Sequence, residues 1–151
     1  MAVKMPKRAV AQAAPAADND LAVLHPERVV VLAGTRVTVR EYGHIEWLRL
    51  QAAATPLVGA LAAMLDAGQE PTYEQALAVL ADNADALAPL VAQAAGITPA
   101  AFDALAPDDG ELLLMTWWGC NGRFFVRRAL NKVAVARAEA ARSAGARSTP
   151  P

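Results

Sequence analysis

The stretch TWWGCNGRFFVRR, residues 116–128, decides how the rest of the chain is read. It holds Trp117, Trp118, Phe124, Phe125 and Cys120, the only cysteine, in a protein that is 5% aromatic. Leu114, Trp117, Trp118, Asn121 and Phe125 recur at intervals of three and four, the spacing of one helical face. Leu113, Cys120 and Phe124 widen that face on one side. Burying a large apolar side chain stabilises by roughly 1.5–3 kcal/mol, so core is the default for Trp117 and Phe124. Trp118 and Phe125 stand about 100° further round the helix. One helix contact cannot hide all four rings. Either this helix is central and covered on two sides, or part of its surface awaits a partner. Gly119 and Gly122 each cost about 1 kcal/mol against alanine in a helix, which predicts a close backbone approach or a local bend there.

Working outward, Asp108 with Glu111 predicts the cap of this helix, which runs to about residue 140 and turns alanine- and arginine-rich past Leu130. Upstream, Thr98-Pro99 starts a short helix carrying Phe102 and Leu105. Asn83 or Asp85 starts another with Leu87, Leu90 and Val91, closed by Gly96. Thr72 and Gln75 form a capping-box pair. Residues 44–66 place Trp47, Leu50, Ala54, Leu57, Leu61 and Met64/Leu65 on one stripe, interrupted at Pro56 by a kink or a new helix start. At the front, ERVVVLAGTRVTVREY reads as a β-hairpin with a Gly34-Thr35 type II′ turn, pairing Leu32 with Val37 and Val30 with Val39. The expected fold is α+β, mainly α: an N-terminal hairpin, four or five helices, and a long C-terminal helix. Residues 1–23 read as a flexible arm, 24–140 as one domain, and 141–151 as a flexible tail.

The net charge of −1 conceals an asymmetry. Residues 1–122 carry seven basic and fourteen acidic side chains, whereas residues 123–151 carry seven basic side chains and only Glu139. A lone cysteine excludes an intrachain disulfide and a four-cysteine metal site, and fits a reducing, cytoplasmic setting. Neither a secretory h-region nor a membrane span is expected, the longest apolar run being the one around Leu112. Cys120 lies within an apolar stripe and behaves as a small hydrophobe there. With only His25 and His44 there is no paired-histidine motif, and no phosphate-cradling glycine loop occurs. Catalytic, cofactor and metal residues are therefore expected to be none.

The hairpin VVVLAGTRVTVREYG leading into HIEWLRL, together with TWWGCNGRFFVRR, resembles the tail assembly chaperones of long-tailed bacteriophages, above all those of Mu-like transposable siphophages and prophages. Val39-Arg40-Glu41 and the pattern Trp118, Asn121, Phe124, Phe125 carry the resemblance, which spans about residues 26–130. The basic end after Leu130 falls outside it. The resemblance implies a non-enzymatic cytoplasmic protein that keeps the tape measure protein soluble during tail assembly, with the tail tube protein as a further partner and self-association open. Such proteins are absent from the mature virion, and many also occur in a longer frameshifted form. The partner-binding candidates are Trp117, Trp118, Asn121, Phe124, Phe125, Arg127 and Arg128. The second reading is a small nucleic-acid-binding regulator using the basic helix, although the acidic body would repel a duplex. A structural virion component is the third.

Overall fold

The computed structural model describes residues 27–68 and 72–146. The expected arm at 1–23 lies outside the described residues. Among these residues two strands, β1 (Arg28–Leu32) and β2 (Thr35–Val39), precede five helices: α1 (His44–Asp66), α2 (Tyr73–Asp82), α3 (Ala84–Ala95), α4 (Pro99–Asp103) and α5 (Pro107–Ala146). This is an α+β fold, mainly α, with a leading hairpin and a long final helix.

The hairpin forms, but its register differs from expectation by two residues. Leu32 pairs with Thr35, Val30 with Val37 and Arg28 with Val39. The turn residues are Ala33 and Gly34, with φ of 47° and 81°. Positive φ at both positions is the type I′ arrangement, whose twist matches that of the strands. Ala33 accepts a left-handed conformation that costs roughly 1–2 kcal/mol for a residue with a β-carbon. Its N–H donates to Asp109 Oδ2 at 3.1 Å, which ties the turn to the start of α5. Because the shift is even, the inward face is unchanged. Leu32 and Val39 are buried, Val30 and Val37 pack on them, and Val29 and Val31 face outward.

The stripe on α1 buries Trp47, Ala54, Leu57 and Leu61, while Leu50, Met64 and Leu65 pack at its border. Pro56 does not divide the helix. Its missing N–H leaves the Ala52 carbonyl without a helical donor, but both residues are exposed, so water can satisfy that oxygen. By length and composition α1 is also apolar enough to cross a membrane. That corrects the view that the longest apolar run surrounds Leu112.

The shorter helices follow their caps. Thr72 and Gln75 make the reciprocal bonds of a capping box. Gly96 adopts φ 66° after α3, letting Ile97 N–H reach Ala92 O at 3.0 Å. The Thr98 hydroxyl accepts from Ala101 N–H to open α4. The start of α5 differs from expectation. Its first bond runs from Gly110 N–H to Ala106 O, with Pro107 in the first turn, so Asp108 lies inside the helix and does not cap it. Glu111 instead accepts a hydrogen bond from the Tyr73 hydroxyl. The far end differs as well, since residues 141–146, assigned to a tail by sequence, are helical.

The 40 residues of α5 span about 60 Å. The hairpin, α1 and α3 pack on its first two-thirds, and from Ala134 onward it is exposed.

Candidate partner-binding site

The seven candidate residues divide into three environments. Trp117 and Phe125 are fully buried and Asn121 is 1% exposed. Trp118 and Phe124 are half-buried, whereas Arg127 and Arg128 are exposed. The expectation that Phe124 accompanies Trp117 into the core is corrected. Positions 117, 121 and 125 lie four apart, and this line is where the hairpin exit, α1 and α3 converge. Trp117, Asn121 and Phe125 are therefore architectural residues that a partner could not reach in this conformation.

Asn121 does its work on the chain leaving β2. Its Oδ1 accepts from Tyr42 N–H and its Nδ2 donates to Arg40 O, both at 3.1 Å. One amide side chain thus replaces a strand partner for residues 40 and 42. Around it, Arg40 N–H donates to Ala94 O. Trp117 Nε1 donates to the Tyr42 hydroxyl at 2.8 Å, and that hydroxyl donates to Leu90 O. Burial pushes the Tyr42 pKa up, so the phenol stays protonated and able to donate. Tyr42 carries no motif that marks it in advance.

Arg40 and Glu46 form a two-pronged ion pair with both contacts at 2.6 Å. Gln93 Nε2 donates to the same carboxylate at 2.6 Å, and Gly43 N–H does so at 3.3 Å. The Gly43-to-Glu46 spacing gives half a capping box, since glycine has no side chain to return the bond. The Arg40 hydrogen bond is the main cause that holds the Glu46 carboxyl down at about 2. Its folded value lies below its ordinary 4.5, so the stability it contributes is present above pH 4.5 and is lost as pH falls toward 2. Glu46→Gln should flatten the pH dependence of the urea midpoint across that window. An unchanged slope would mean that the pair does not form.

Cys120 is buried with its Sγ 3.8 Å from Val39 O, and burial pushes its thiol pKa up. A raised pKa disfavours the thiolate that nucleophilic chemistry requires. Among the described residues, no three His, Cys, Asp or Glu side chains gather as a metal site.

The half-buried rings flank two different surfaces. Phe124 meets Trp47 edge-on at 4.2 Å, and Arg128 lies over both rings at 5.1 and 5.6 Å. Arg127 lies over Phe124 at 5.7 Å. These two arginines, with His44 and Glu41, border a cavity of about 250 Å³ at the start of α1. Trp47 Nε1 is buried without a hydrogen-bond partner. Trp47 belongs with this site, although its position at 47 gave no sign of it beyond the core stripe.

On the opposite side, Trp118 folds over its own helix. A β-carbon at residue 122 would sit 2.8 Å from the Trp118 ring, and one at residue 119 would sit 2.6 Å from the Arg28 guanidinium. Both glycines thus make room within this chain. Beyond them runs an open groove of about 620 Å³, whose walls include Trp118, Val126, Leu130, Arg123 and Arg127. Leu112 and Met115 extend the exposed apolar line toward the start of α5. The partner-binding candidates named from sequence end at residue 128, although Val126 and Leu130 continue the helical spacing of Trp118 and Gly122.

Residues 20–151 match the model of DUF6631, a family of unknown function. The chain belongs to that family. The match takes in every strand and helix of the described residues, and it continues through the basic end that the resemblance to tail chaperones does not reach. No curated protein and no solved structure matches the chain.

Proposed function

We propose that this protein is a non-enzymatic tail assembly chaperone of a long-tailed phage or prophage, one that holds the tape measure protein soluble in the bacterial cytoplasm. The observation that carries this reading is the open apolar groove on α5 bordered by Trp118, Val126 and Leu130. An exposed apolar line on a helix is the surface on which a second amphipathic helix lays its own apolar face. Leu130 is 51% exposed and Leu112 45%, although both stand on the helix that organises the core. Exposed apolar patches of this kind mark interaction sites. Binding through this face uses Trp118, with Arg127 at the rim, and leaves Trp117, Asn121 and Phe125 to hold the fold.

The test is co-expression with the tape measure protein, reading the soluble fraction and the recovered complex. Trp118→Ala with Leu130→Glu should weaken the complex about thirtyfold, as loss of a central aromatic anchor costs roughly 2 kcal/mol or more. Val31→Ser, on the outer face of the hairpin, should leave it unchanged. A tape measure protein equally soluble with and without this chain sinks the reading.

A further inference from the structure

We infer that the segment docking on α5 is an acidic amphipathic helix, whose carboxylates face Arg123 and Arg127; this rests on the chaperone reading and specifies the partner's chemistry. Between Glu111 and Glu139 the sequence of α5 contains no acidic residue. Arg123, Arg127, Arg128 and Lys132 are all exposed. Arg123 and Arg127 border the groove itself, and Arg127 also borders the cavity at the start of α1. Arg128 and Lys132 border a third recess, of about 220 Å³, between α1 and α5. Arg137 is already engaged by Asp66 at 2.8 Å.

The apolar floor distinguishes the occupant from a nucleic acid. Phosphates call for cations and hydrogen-bond donors, whereas Trp118, Val126 and Leu130 reward an apolar side-chain row. A helix with leucines on one face and glutamates beside them satisfies both features at once. Like charges at the rim would repel a lysine-flanked helix, so the cations select among helices as well as attract one.

The experiment uses the full chain and two synthetic peptides of about 20 residues with the same leucine face, one flanked by glutamate and one by lysine. Two exposed ion pairs of about 0.5 kcal/mol each give an expected preference of about fivefold for the acidic peptide, shrinking in high salt. Arg123→Glu with Arg127→Glu should reverse the preference, while circular dichroism shows the fold retained. Equal affinity for the two peptides overturns the inference, as does tighter binding of a short DNA duplex. A free protein that is a dimer, made monomeric by Leu130→Glu, overturns it too, because the occupant is then a second copy. Failure of the chaperone reading looks different: the acidic peptide keeps its advantage while the tape measure protein stays insoluble.

Discussion

Trp117→Ala should destabilise the protein by about 4 kcal/mol, a large share of the roughly 5–15 kcal/mol that holds an ordinary domain folded. The indole is wholly enclosed and contacts Phe125 at 5.2 Å and Trp118 at 5.9 Å between ring centroids. Truncation therefore opens a void where the hairpin exit, α1 and α3 meet, and rigid neighbours cannot fill it. It also removes the Nε1 donor from the Tyr42 hydroxyl. Trp117→Phe separates the two effects. It restores most of the volume and loses only the donor, so it should cost about 1–2 kcal/mol. Urea unfolding followed by circular dichroism measures both. A cost below about 1 kcal/mol for the alanine variant would show that Trp117 is not the centre of the core.

The second large effect is expected at a polar residue. Asn121→Leu keeps the side chain's approximate size and increases its apolarity, yet should cost about 3 kcal/mol. It strands Tyr42 N–H and Arg40 O, and a buried donor or acceptor left alone costs roughly 1–3 kcal/mol each. Asn121→Asp retains an acceptor for Tyr42 N–H but turns a second oxygen toward Arg40 O, so it should not rescue the fold. If Asn121→Leu is neutral, the amide is not what holds residues 40–42. Hydrogen exchange at Tyr42 gives an independent reading, because that amide should lose its protection in the leucine variant before global unfolding.

These two residues also show where sequence reading reaches and where it stops. Helical spacing placed Trp117, Asn121 and Phe125 on one line, since periodicity is local. It could not choose between Phe124 and Phe125 for the interior, because that depends on which neighbours close around α5. The role of Asn121 was illegible for a stronger reason. Its partners are backbone atoms 79 and 81 positions away, and backbone atoms leave no signature in a sequence. The hairpin was legible in its faces and misread in its turn. Gly34 signalled positive φ correctly, but nothing in alanine announces that Ala33 adopts it too. The two helix glycines raise the expectation of a close backbone approach or a bend, whereas side chains occupy the space, the Arg28 guanidinium at Gly119 and the Trp118 ring at Gly122. The groove runs from Trp118 to Asn131, and its apolar row is hidden in the linear sequence because arginines separate Val126 from Leu130.

The bonds from Asn121 back to residues 40–42 have a consequence for biosynthesis. Until codon 121 has been translated and its residue has cleared the ribosome exit tunnel, the emerging hairpin lacks the amide that secures its far end. The nascent hairpin therefore lacks the cover that the last helix lays on both strands until that helix emerges.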